Sequence, residues 1–152
     1  MFKPVRWSKI KIGHLIKVEK DQDFPADILL LKSDKQEGIV FVDTMQLDGE
    51  TNLKEKVAPT NTNQLNDQEI CLLNGGSIVC DVPNENMEKW DGNTTVSIRG
   101  VGQTFNSTMK GMMLRGCTLK NTQYCLGVVI NTGPHTKIMM NAKKPPQKVS
   151  NV

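Results

Sequence analysis

The chain has 152 residues, 38% of them hydrophobic, 23% charged and 5% aromatic, with a formal net charge of +3. This length suits one domain that buries a core without disulfide or metal support, and no apolar run approaches the roughly 18 residues of a membrane helix. So few aromatics leave little to stack on bases, which argues against nucleic acid as a partner despite the positive total.

Residues 1–20 carry six Lys or Arg against Glu19 alone, so the chain opens strongly basic. This stretch has no continuous apolar centre or small-residue cleavage site, which predicts no signal peptide and exposure to the cytosol. Strands are expected at HLIKVE (14–19), ADILLLKS (26–33) and IVFVDT (39–44). The stretch LDGETNLK (47–54) follows directly. Asp48-Gly49 permits a tight reversal, which places Glu50 at the loop tip. Asp48 accepts hydrogen bonds from backbone donors one or two residues on, stiffening the loop and leaving the Glu50 carboxylate free, while Thr51 and Asn52 supply further positioning groups. An ordinary turn beside a solvated Glu reads the same way from these residues alone.

A strand is expected at LKEKVA (53–58), with Lys54 and Lys56 as solvated side chains. Residues 59–75 are Asn-rich and predict a surface connection with a helix near Asn66 to Leu72. GSIVCDV (76–82) and TTVSIR (94–99) predict strands, separated by a connection over 83–93 with a turn at Asp91-Gly92 and Trp90 covering part of the core. MMLRGCTL (112–119) and YCLGVVINT (124–132) complete the strands, and Pro134 opens a short helix to Asn141. Within these segments Arg115 is either an inter-domain contact or a solvated group, and His135 has a local role at the helix start. Met112-Met113 and Met139-Met140 are core filler. Pro145 and Pro146 end the helix, leaving 143–152 as a basic linker or frayed end after a folded domain at 1–142, and the basic ends suit an anionic membrane surface. Cys71, Cys80, Cys117 and Cys125 show no Cys-x-x-Cys pair and have only His14 and His135 beside them, so they read as reduced core thiols rather than a zinc site. Many short strands with few helices predict a mainly β sandwich, jelly roll or related barrel.

Several spaced motifs stand together along the chain: W-x-x-I-x-I-G-x-x-I-x-V from Trp7, FPADILLLKS from Phe24, GIVFVDT from Gly38, LDGETNLK from Leu47, LRGCTLKNT from Leu114 and TGPHTKIMMN from Thr132. In this order they resemble the actuator domain of type IV P-type ATPases, the phospholipid flippases. The resemblance implies a distorted jelly-roll, or double-stranded β-helix-like, domain inserted between membrane helices 2 and 3 of a longer enzyme, on the cytosolic face of a membrane. It implies that Glu50 is catalytic, positioning water for hydrolysis of an aspartyl phosphate on a separate domain. Asp48, Gly49, Thr51 and Asn52 would organise the loop, and Arg115 and His135 become candidate inter-domain contacts. ATP and Mg²⁺ would belong to the parent enzyme, whose partners for this segment are its phosphorylation and nucleotide-binding domains, its membrane helices and its phospholipid. Which phospholipid, which membrane and whether an accessory subunit is needed stay open. His14 departs from the acidic residue usual in that family. A cation-transporting P-type ATPase, and a non-enzymatic β-sandwich module that binds acidic lipids, are the alternatives.

Overall fold

The run DILLLKS, four apolar residues behind the acidic Asp27, forms the strand that organises the domain. In a computed structural model describing residues 2, 4–73 and 76–142, this strand, β2 (Asp27–Ser33), is buried almost throughout. It therefore lies inside the molecule with both faces covered. It sits between β10 (Tyr124–Asn131) and the two-residue β8 (Met112–Met113), with β1 (Leu15–Glu19) outside β10, in the order β1-β10-β2-β8. All pairings are antiparallel. Gly127 of β10 packs so tightly on β2 that a Cβ there would lie 2.7 Å from the Leu29 carbonyl oxygen. A side chain would force the strands apart.

A second sheet has the order β4-β3-β9, with β3 (Ile39–Asp43) between β4 (Lys54–Val57) and β9 (Thr118–Lys120). A third has the order β5-β6-β7, from β5 (Ser77–Cys80), β6 (Asp91–Ile98) and β7 (Val101–Thr108). The chain is thus mainly β, and the distortion of the expected jelly roll is a division into three sheets. The main core joins Phe24, Ile28, Leu30, Val40, Val42, Met112, Met113 and Leu119, among others, with Trp90 at its margin. A smaller cluster of Leu31, Leu65, Ile70, Ile98 and Leu126 lies beside it. Four short helices punctuate the strands: α1 (Met45–Asp48), α2 (Thr60–Asn63), α3 (Asp67–Cys71) and α4 (Lys137–Ala142). The polar α2 is anchored because Thr62 Oγ1 donates to the Leu31 carbonyl (2.6 Å) and Asn63 Oδ1 accepts from the Ser33 N–H (2.9 Å). No helix among the described residues is long and apolar enough to cross a membrane.

Several expectations need correction. Asp91-Gly92 is no turn but the start of β6, because Asp91 and Gly92 pair with Thr108 and Ser107 of β7. The β6–β7 hairpin turns instead at Arg99-Gly100, both with positive φ (51° and 82°). The stretch 112–119 is two strands broken by a turn at Leu114–Cys117, not one. Pro134 lies in a 3-10 turn, and extended Thr136 separates it from α4. Met112 and Met113 are fully buried, but Met139 is exposed. Cys117 and Cys125 are core thiols, whereas Cys71 is exposed and Cys80 half-buried; all four are free. Lys56 is largely removed from solvent rather than solvated, and its Nζ donates to the Met109 carbonyl (2.9 Å); burial, the leading cause, lowers its pKa. The expected linker at 143–152 lies outside the described residues.

Candidate functional site: the loop from Thr44 to Lys54

Strand β3 delivers the chain to Asp43, whose Oδ1 accepts the Met45 N–H (2.9 Å) and starts one turn of helix. This helical turn stands where a plain hairpin reversal was expected. It closes at Gly49, whose N–H donates to the Met45 carbonyl and whose φ of 71° is left-handed. Glycine takes that conformation without the Cβ clash other residues suffer, so the loop turns sharply after Asp48. The Asp48 carboxylate then staples both sides of the turn. Its two oxygens accept from Thr44 Oγ1 (3.0 Å each), and Oδ1 also accepts the Glu50 N–H (2.9 Å). Asp48 is therefore committed to holding the loop.

Glu50 is not so committed. Its side chain is 53% exposed and makes an ion pair with Lys54, itself 38% exposed. The carboxylate is neither walled in nor held by a buried cation, and an exposed pair of this kind contributes little to stability. Lys54 reaches it from β4, where it lies opposite Val42 of β3. Thr51 and Asn52 are exposed beside Glu50.

The loop rests on the turn Leu114–Cys117. β9 follows that turn and pairs Thr118 with Asp43, so turn and loop occupy the same end of one sheet. Gly116 has a φ of 95°, and a Cβ there would meet Ile138 Cδ1 at 3.2 Å and Leu47 Cδ2 at 3.7 Å. The turn is fastened in turn to the segment before β2: Phe24 N–H donates to the Cys117 carbonyl (2.8 Å) and Gly116 N–H to the Phe24 carbonyl (3.2 Å). Asp27, fully buried, adds a side-chain fastening. Its Oδ1 accepts the Arg115 N–H (3.0 Å) and its Oδ2 the Lys137 N–H at the start of α4 (2.8 Å). Burial raises the Asp27 pKa, opposed by these two donors. Nearby Cys117 is pushed up to about 12, chiefly by burial, so at neutral pH it is an inert thiol.

Arg115 stands close to the loop through this turn, with its guanidinium 5.8 Å from the centre of the exposed Trp7 ring. His135 is exposed in the 3-10 turn, where its N–H donates to the Thr132 carbonyl (3.1 Å). Thr44 and Asp27 were not singled out from the sequence, whereas Leu47 was expected to anchor the loop and packs against the core. The available signal for Asp27 was a lone carboxylate heading an apolar strand, which must find buried donors or protonate.

No family model matches the chain. Curated relatives do match along its length. It is 42% identical over 146 residues, 96% of the chain, to phospholipid-transporting ATPase 6 of Arabidopsis thaliana. It is 38% identical over 143 residues, 94% of the chain, to phospholipid-transporting ATPase tat-1 of Caenorhabditis elegans. Phospholipid-transporting ATPase ID of Mus musculus is 36% identical over 137 residues, 90% of the chain. The chain spans only about one-eighth of these relatives, 12%, 12% and 11% of their lengths. This β-rich segment is therefore similar, over nearly its whole length, to one part of phospholipid-transporting P-type ATPases.

Proposed function

We propose that the chain is the actuator domain of a phospholipid-translocating P-type ATPase and that Glu50 positions the water that hydrolyses an aspartyl phosphate on a separate domain of that enzyme. One observation carries the reading: Glu50 presents an exposed carboxylate from a loop whose other acidic group, Asp48, is consumed in stapling it. Hydrolysis of an acyl phosphate needs chiefly an in-line water held by an acceptor, so a stiff loop carrying one free carboxylate suits the task. The water oxygen bonds to phosphorus as the aspartyl oxygen leaves, and Glu50 accepts a hydrogen bond from the attacking water. Open space around Gly49, with nothing within 4 Å of a Cβ placed there, leaves the backbone accessible to a docking surface. Lys54 is a weakly held counterion that an incoming phosphorylated domain can displace. ATP and Mg²⁺ serve the phosphorylation and nucleotide-binding domains of such an enzyme, and no residue here is assigned to them. The domain works at the cytosolic face of the membrane that holds the parent.

The test is Glu50→Gln in the full-length enzyme. Phosphorylation by ATP is expected to continue while the phosphoenzyme accumulates, its decay slowed by about a hundredfold or more, the scale on which a positioned base contributes. Decay at the normal rate refutes the assignment. Stimulation of ATP hydrolysis by phospholipid rather than by a cation separates this reading from a cation pump.

A further inference from the structure

Asp27 lies at the head of β2, outside the loop, yet it controls what the loop rests on. Its carboxylate joins the Leu114–Cys117 turn to α4 by hydrogen bonds, through the Arg115 N–H at 3.0 Å and the Lys137 N–H at 2.8 Å. Gly116 in that turn faces Leu47 of the loop and Ile138 of α4. Leu47 is half-buried against the main core, one residue before the Asp48 staple and three before Glu50. The route from Asp27 to the acidic tip is therefore continuous: carboxylate, turn, Leu47, staple, Glu50.

We infer that Asp27 is a positioning residue for Glu50: by clamping the Leu114–Cys117 turn against α4, it sets the platform that orients the Leu47–Glu50 loop toward the phosphorylated partner. The inference rests on the catalytic assignment of Glu50. Asparagine is nearly isosteric with aspartate but offers one oxygen, so it satisfies only one of the two backbone donors and turns its own NH₂ toward the other. The platform then loses one fastening while the apolar packing around it stays. Displacements of about 1 Å at a reacting group cost on the order of a hundredfold in rate, so a loosened platform is felt at the chemical step.

The experiment uses the full-length enzyme with five variants: Asp27→Asn, Gly116→Ala, Glu50→Gln, and Asp27→Asn combined with each of the other two. Phosphoenzyme formation and decay are measured separately, with amide exchange of residues 44–50 and of β1 and β10. Asp27→Asn is expected to form phosphoenzyme normally, to slow its decay about ten- to a hundredfold, and to speed exchange in the loop but not in β1 or β10. Gly116→Ala leaves the clamp chemistry intact and disturbs the same platform from its other side, so it is expected to slow decay too. It covers the case in which Asp27→Asn fails to fold. Because both act through Glu50, Asp27→Asn is expected to add nothing to Glu50→Gln, and less than its full effect to Gly116→Ala. Normal decay in both Asp27→Asn and Gly116→Ala, or full additivity with Glu50→Gln, overturns the positioning role while leaving Glu50 in place. Normal decay in Glu50→Gln instead overturns the catalytic assignment on which the inference stands.

Discussion

Asp48 and Glu50 are two carboxylates two residues apart with opposite tasks, and their surroundings separate them. Asp48 accepts from two donors of its own loop, the Thr44 hydroxyl shared between its oxygens and the Glu50 N–H, whereas Glu50 among the described residues pairs with an exposed lysine. The contribution of the staple is measurable through Thr44, which is nearly buried and donates to both Asp48 oxygens. Thr44→Val keeps the side-chain shape and removes that donor. The Glu50 amide, held by the same carboxylate, is expected to exchange roughly five- to tenfold faster, as losing a bond of about 1 kcal/mol implies; an unchanged rate would mean that Asp48 holds the loop without help. This division of labour was legible in the sequence, because Asp next to Gly favours bonding its own backbone and the following Glu has no such partner. Thr44 was not legible: a Thr closing a β-branched run looks like strand until the helical turn after it is known.

At the scale of elements, the short helices survive through side-chain bonds rather than length. The five-residue α3 starts at a capping box, in which the Asn66 side chain accepts the Glu69 N–H and the Glu69 carboxylate accepts the Asn66 N–H. The same carboxylate receives two bonds from Arg99 at the β6–β7 turn, at 2.7 and 3.2 Å, so α3 and the third sheet share one residue. Asn66→Ala is expected to lower stability by about 1 kcal/mol, read as a shift in the denaturant midpoint with unchanged slope. The helix near Asn66 was readable from its Asn-x-x-Glu start. β7 was not: in VGQTFNST Gly102, Asn106 and Ser107 interrupt the strand-favouring Val, Thr and Phe, and pairing along the whole of β6 fixes its place. Arg99-Gly100 likewise lacks the usual Asn-Gly or Asp-Gly signature of a two-residue hairpin turn. The break at Leu114–Cys117 escaped the pattern because apolar or small residues flank Arg115-Gly116 on both sides; the left-handed Gly116, the Cys117 N–H to the Leu114 carbonyl and contacts with Phe24 and Asp27 bend it.

Across the whole molecule, buried thiols tie stability to alkaline pH. Cys117 and Cys125 are each pushed up to about 12, chiefly by burial, from an ordinary value near 9.0. A raised acid holds its proton more firmly when folded, so its contribution is complete below about 9 and is lost as pH climbs toward 12. Stability to urea is expected to fall across that window, and replacing both cysteines by Ala is expected to flatten the fall. At pH 8 exposed Cys71 is expected to react with an alkylating reagent while Cys117 and Cys125 remain unmodified; mass mapping of the labelled protein checks this. The mainly β character was legible because short apolar runs between turn residues need no partner to be recognised. Division into three sheets was not, since it depends on which runs pair across long stretches of chain.

The Trp7–Arg115 stack and the bond from Asp27 to the first residue of α4 bring both extremities of the described fold to one four-residue bend. Leu47 leans on the same bend, so the acidic tip and both flanking segments share a single footing.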